Sequence, residues 1–511
     1  FLYFIVMRVA AFVLVVAVAV QAANVKLGFV SDFHLDGYYG TDRAFKRHNN
    51  GCASPNASSW GTFGCDSPAA LINSSIAALL ATNPSHIIVA GDWLRHDMAL
   101  EKAAAQPMYA MVASSLSTAM HKIVPSPSLA TALGNNDFVP DYFFNLSAPQ
   151  HPLLSGFAET LHKDGLLSES EAATFKQAGF FVRALSGTRL TVVVINTMIW
   201  TYDLEPVNAV ADDPLGQFAF LEEALANASR SNRKVIILSH MPPTINFFSV
   251  VHAADWPSPS VADLRYFTER YEHRYARIVA DANNTIVAQV FGHTHRFSFS
   301  ASGSRFGNVP TIVVGAVSPV YDNNPNFFTA EWDDERGELF SMQQHYLRIQ
   351  HPDAPPRPWN WETGAIVPHV FGVDGPMTAE TLNAVADRLS SDDGAFNSWR
   401  QIYNANASGG PCDSRCRRLA VCYTNFVSPA DVYRCLAVTL SPPSTTSAPS
   451  RPSPGNTSSS VGLWLALGAI AVAAVCGALV AAVVVRRKRQ QAFTAGYVTP
   501  DDLNGGSTHT V

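Results

Sequence analysis

Short apolar runs rich in β-branched residues recur along the chain, and each ends in a cluster of Asp, Asn, Ser or His. Residues 25–30 lead into Ser31-Asp32-Phe33-His34, and 86–90 into Gly91-Asp92-Trp93-Leu94-Arg95-His96-Asp97. Residues 129–133 lead into Gly134-Asn135-Asn136-Asp137, 234–238 into Ser239-His240-Met241-Pro242-Pro243, and 286–291 into Gly292-His293-Thr294-His295. Runs of this length and composition predict buried strands, and the paired prolines cannot continue a central ladder. Between them, 68–81 places Leu71, Ile76, Leu79 and Leu80 at helical spacing, and 215–229 does the same with Phe218, Leu221 and Leu225. Residues 264–280 form a third such segment ahead of the strand at 286, while 190–195 and 311–314 add further β-rich runs. A strand, helix, strand order predicts parallel pairing and a layered α/β architecture. Ligands in such sheets bind beyond the carboxyl ends of the strands.

Five strand ends carrying alike side chains can deliver them to one place. Asp32 and His34, two residues apart, project from the same side of an extended segment. Imidazole and carboxylate together suit zinc, with manganese or iron as alternatives, and no cysteine in the five segments argues for a thiolate site. A pair of divalent ions needs a bridging carboxylate, and such a pair acidifies a shared water and holds phosphoryl oxygens. Any one of these residues taken alone reads as a core or turn residue; the five clusters in order do not.

Asp32-Phe33-His34, Gly91-Asp92, Gly134-Asn135, His240 and Gly292-His293-Thr294-His295 resemble the motifs of the calcineurin-like metallophosphoesterases. Phe291-Gly292-His293-Thr294-His295-Arg296, Ser318-Pro319-Val320, Asn324-Pro325-Asn326 and a later cysteine cluster are similar to the acid sphingomyelinase and endopolyphosphatase branch. The resemblance spans about residues 25–436. It implies a four-layer α/β/β/α sandwich, with Asp32, His34, Asp92 and His295 holding one ion and Asp92, Asn135, His240 and His293 the other. Asp92 is then the bridge. Most relatives carry His after the metal-binding Asn, whereas this chain has Asn136, which can donate to a phosphoryl oxygen but cannot release a proton. His96, four residues after Asp92 and one turn away if a helix begins there, is the candidate acid. Arg95-His96-Asp97 and Gly134-Asn135-Asn136-Asp137 look more like the endopolyphosphatases, and the stretch between the expected secretory signal and Asp32 does not read as a saposin-like module.

Composition sets the frame around the catalytic segment. The chain has 511 residues, 47% of them hydrophobic, which suits one large domain (24–350) and a helical cysteine-containing subdomain (351–440). Within the latter, 378–436 has a helical pattern and no expected catalytic group. Residues 1–23, apolar with Arg8 near the start and Ala22 and Ala23 at the end, read as a secretory signal. Residues 441–460 are a Ser/Pro/Thr stalk, 461–485 run 25 residues without a charge, and Arg486-Arg487-Lys488-Arg489 opens a tail over 486–511. This predicts a single-pass type I membrane protein, anchored by one C-terminal helix, with its catalytic domain extracellular or in an acidic endolysosomal or vacuolar lumen. Seven sequons, at Asn56, Asn73, Asn145, Asn227, Asn283, Asn406 and Asn456, agree with that side of the membrane. Of seven cysteines, Cys476 falls in the apolar run. Cys52 and Cys65 are expected to pair, while Cys412, Cys416, Cys422 and Cys435 can pair in three ways; a zinc site there lacks a nearby His.

The formal charge of −6 without a basic stripe excludes nucleic acid as the expected partner. The expected activity is hydrolysis of phosphoric esters or anhydrides, endopolyphosphatase-like, on a small molecule, polyphosphate or lipid. An acid sphingomyelinase-like phosphodiesterase is the alternative, and a catalytically silent surface receptor the alternative of another class. Trp200, Tyr202, Phe247 and Phe248 fall near the motif loops and either line a groove or pack in the core.

Overall fold

The computed structural model describes residues 25–98, 102–120, 129–146, 152–206, 211–247, 250, 265–350, 358–408 and 412–436. In chain order the strands are β1 (Val25–Val30), β2 (His86–Val89), β3 (Leu129–Thr131), β4 (Phe181–Ala184), β5 (Leu190–Val194) and β6 (Lys234–Leu238). They continue as β7 (Ile286–Phe291), β8 (Ser298–Ser300), β9 (Thr311–Val313), β10 (Asn326–Asp333), β11 (Glu338–Leu347) and β12 (Trp361–Val367). One six-stranded sheet has the order β12-β11-β10-β1-β2-β3 and the other β4-β5-β6-β7-β9-β8. Both are mixed: β1, β2 and β3 are parallel while β10 to β12 run antiparallel, and β5, β6, β7 and β9 are parallel between antiparallel β4 and β8.

The expected helices form as Ala69–Ala81, Gln217–Arg230 and Glu269–Asp281, each connecting two parallel strands. The central strands are buried on both faces, which is why they read as continuous apolar runs rather than alternating ones. One contiguous apolar core joins Phe29, Ile88 and Leu133 from the first sheet to Val193, Ile237 and Val290 from the second.

The first sheet extends past residue 350, where the helical segment was expected to begin, because β12 pairs with β11. The helices that follow are Ala379–Ser391, Asp393–Tyr403, Ser414–Asn425 and Pro429–Cys435. Disulfides join Cys52 to Cys65, Cys412 to Cys416 and Cys422 to Cys435, closing the choice among the last four cysteines in favour of bridges rather than zinc. The expected signal, stalk, membrane segment and tail (1–23, 441–460, 461–485 and 486–511) lie outside the described residues. Among the described residues no helix is long and apolar enough to cross a membrane, so the single-pass helix is no part of the described fold.

Candidate metal centre and its cleft

The pairing of β1 with β2 continues beyond both strands. Asp32 N–H donates to Gly91 O (2.9 Å), His34 N–H to Asp92 O (3.1 Å), and Leu35 bridges Leu94 in parallel. The two loops therefore run side by side and place Asp32, His34 and Asp92 together. Asp137 ties in the loop after β3: its carboxylate accepts from the backbone N–H groups of Asp92, Trp93, Leu94 and Gly134 at 2.8–3.1 Å. Burial, together with the neighbouring Asp92 charge, pushes Asp137 up to about 7. From the second sheet, β6 and β7 supply His240, His293 and His295.

All seven expected ligands converge. His240 Nε2 lies 3.1 Å and His34 Nε2 3.4 Å from Asp92 Oδ2. His295 Nε2 is 3.1 Å from His34 Nε2 and 3.4 Å from Asp32 Oδ1. Asn135 Oδ1 is 3.0 Å from His293 Nδ1, and its amide is oriented by donation to Asp141 Oδ1 (2.8 Å). Ligand atoms group as Asp92, His240 and His293, as Asp32, His34 and Asp92, and as His34, His96 and His295, so Asp92 belongs to two of three neighbouring sets.

The donor set fits cations. His34 Nδ1 faces Leu94 O (2.9 Å) and His240 Nδ1 faces Ala90 O (2.7 Å). A carbonyl oxygen accepts only from N–H, which fixes both tautomers and leaves a lone pair on each Nε2. Those lone pairs face carboxylate oxygens, an arrangement that is repulsive unless positive charge is shared between them. A cation or a proton between them meets that need. Burial disfavours the charged ring, but Asp92, Asp32 and Asp66 push His34 up to about 10, and Asp92 pushes His240 up to about 9. Burial and the neighbouring His240 hold His293 down to about 3.

The backbone is held off its preferred dihedrals here. Asp32, His34, Asp92, His293 and His295 have φ of 52°, 44°, 55°, 71° and 59°. Left-handed conformations of non-glycine residues concentrate at functional sites, where the surrounding structure imposes them. Two glycines admit the ligands: a Cβ on Gly134 would stand 2.0 Å from Asp92 Oδ1, and one on Gly292 2.0 Å from Ser31 Oγ and 2.8 Å from Asp32 Oδ2.

His96 reaches the cluster, though no helix begins at Asp92; the extended loop beside Leu35 carries it there. Its ring stacks on His34 (4.1 Å between centroids) and on Phe45 (5.0 Å). Asn136 is placed differently from expectation. Its side-chain amide donates to Asp92 Oδ2 and its backbone N–H to Asp92 Oδ1, both at 2.9 Å, so it orients the shared carboxylate rather than awaiting a phosphoryl oxygen.

Residues 25–297 match the calcineurin-like phosphoesterases. The chain belongs to that family. Among similar phosphoesterases, human "acid sphingomyelinase-like phosphodiesterase 3b" is 30% identical over 78% of this chain and 87% of its own length. Human "cyclic GMP-AMP phosphodiesterase SMPDL3A" is 25% identical over 77% and 86%. "Sphingomyelinase phosphodiesterase D" of Dictyostelium discoideum is 24% identical over 66% and 74%. The chain is thus a member of a hydrolase family acting on phosphate esters.

Beside the centre lies a cleft of about 290 Å³ lined by His293, Tyr142, Asp203, Asn246, Phe247, Tyr266, Arg47, Arg296, Tyr321 and Tyr403. Of the four aromatic candidates, Phe247 lines it, Trp200 is fully buried against Phe218, Tyr202 is exposed, and Phe248 lies outside the described residues. The C-terminal helices, expected to carry nothing functional, supply Tyr403 to this wall and Asn404 behind it. Asp66 and Asp141 were not expected as partners of the site, because each sits in a loop whose destination no periodicity reports; Asp137 stood in a recognised cluster, but its role as an acceptor for four backbone N–H groups was not legible.

Proposed function

We propose that the chain is a dinuclear-metal phosphodiesterase, with Asp32, His34, Asp92 and His295 holding one ion and Asp92, Asn135, His240 and His293 the other. The observation that carries this reading is the Asp92 carboxylate shared by two of the neighbouring groups of ligands. Two divalent ions bound there supply Lewis acidity and an acidified water. The chain's own residues do the rest. Asn136 and Asp137 fix Asp92, the carbonyls of Leu94 and Ala90 fix two imidazoles, and Asp141 aims Asn135. His96 Nδ1 donates to Asp66, which leaves Nε2 to hold the proton that the departing alkoxide takes. A general acid in this position favours an active hydrolase over a silent receptor.

Diesters are favoured over the polyphosphate first expected. The relatives are named as phosphodiesterases of lipid-type and cyclic-dinucleotide substrates, so sphingomyelin and cyclic GMP-AMP are the substrates to try first. Arg95, on which the polyphosphate reading leaned, is buried and paired with Asp36 Oδ1 (3.2 Å) and Arg43 O (2.8 Å), holding loops together rather than facing substrate. Three disulfides support a compartment outside the cytosol, and the uncharged run at 461–485 supports an anchored form. Purified protein assayed side by side on bis(p-nitrophenyl) phosphate, sphingomyelin, cyclic GMP-AMP and polyphosphate tests the proposal. Phosphate release from polyphosphate with no diester cleaved would overturn it.

A further inference from the structure

Two guanidinium groups line the cleft beside the metal centre, and the chemistry derived above uses neither. Arg296 follows His295 and is half-buried. It donates to Asn404 Oδ1 (2.7 Å) and to the Tyr321 carbonyl, both neutral. Arg47 is exposed, with its Cζ 4.5 Å from the centre of the Tyr321 ring. Among the described residues neither makes an ion pair. Asp322, the residue after Tyr321, faces His48 (3.2 Å). Both guanidinium groups reach Tyr321, Arg296 at its carbonyl and Arg47 over its ring, and both line the same cleft. Like charges held together in a partly desolvated cleft cost free energy until an anion joins them.

The position of the pair relates it to the reacting group. The Tyr321 ring stands edge-on to His295, 4.5 Å between centroids, with Arg47 over its face. Both guanidinium groups therefore border Tyr321, the ring that stands next to the candidate ligand His295. Asp203, exposed, lines the cleft as well, and partial desolvation raises its carboxyl above its usual value, which weakens it as a competing anion.

We propose that Arg47 and Arg296 form a second anion subsite, which selects phosphodiesters carrying a further, non-reacting phosphate over those with a neutral or cationic substituent. This rests on the phosphodiesterase reading and adds to it the class of substrate. Arginine suits the task, since its planar fork offers paired donors to phosphate oxygens. A trimethylammonium headgroup would meet two positive charges at the same place.

The test is binding rather than turnover, so its failure is separable from failure of the activity itself. Affinities of thymidine 3′,5′-bisphosphate and thymidine 5′-monophosphate are measured by calorimetry on the whole protein and on Arg47→Gln, a change at an exposed position. The bisphosphate should bind at least about tenfold tighter to the wild type, the scale of one charge-assisted contact, and Arg47→Gln should abolish that preference. Equal affinity in the wild type, or a preference kept in Arg47→Gln, would overturn the subsite. Cleavage of bis(p-nitrophenyl) phosphate, followed separately, reports on the phosphodiesterase reading alone.

Discussion

Asp66 Oδ1 lies 3.0 Å from His96 Nδ1, and the same carboxylate accepts the His96 backbone N–H at 2.8 Å. Burial disfavours the Asp66 anion, but the His96 imidazole and these bonds hold its pKa below the usual carboxylate range. The aspartate thus sets the tautomer and orientation of the ring, as in other acid–base pairs. His96→Ala should lower kcat on diesters with alkyl leaving groups by about 10²- to 10⁴-fold. It should cost far less on p-nitrophenyl diesters, whose leaving group departs without a proton. Asp66→Asn should repeat the pattern more weakly. Equal losses on both kinds of ester would show that His96 is not the acid.

Asp92 belongs to both ligand groups, so its removal should disturb both ions. Asp92→Ala is expected to leave the purified protein with little or no metal by elemental analysis, whereas His293→Ala should retain about one ion. Retention of two by Asp92→Ala would contradict the shared role.

Gly134→Ala brings a methyl group to 2.0 Å from Asp92 Oδ1. No rotamer change relieves this fully, because Asn136 and His240 also hold that carboxylate. Activity and metal content should both fall at least tenfold in a protein that still folds. A fully active Gly134→Ala would show that the loop after β3 can give way.

How much of this was legible without coordinates follows from what each residue does. The seven ligands stand at the ends of apolar runs, where strand length and the abrupt change to polar residues mark them. Their partners do not: Asp66 and Asp141 lie in loops whose course depends on contacts 30 residues or 6 residues away. Arg95 sat inside a recognisable motif, yet its buried pairing with Asp36 is a structural role that no local pattern reveals. Tyr403 lies on a helix whose pattern reports only a buried face, not the cleft beside it.

Acid sensitivity has a defined source away from the centre. His86 is 3% exposed, burial and the nearby Arg183 hold its pKa down to about 4, and its Nε2 donates to Ser186 O (3.2 Å). With the folded value below the unfolded one, the unfolded chain takes the proton first. Stability therefore falls as pH drops below about 6.5 and levels off near pH 4, by on the order of 3 kcal/mol at most. His86→Leu should flatten this part of the difference in urea midpoint between pH 7 and pH 4.5. An unchanged difference would assign the acid sensitivity to other groups.

The left-handed dihedrals at five of the candidate ligands carry a lesson for anyone engineering this enzyme. Glycine would relieve roughly 1–2 kcal/mol of backbone penalty at His34 or His295, set against the buried contacts that each ring makes. Selection on turnover is needed to keep the loops in the shape that chemistry requires.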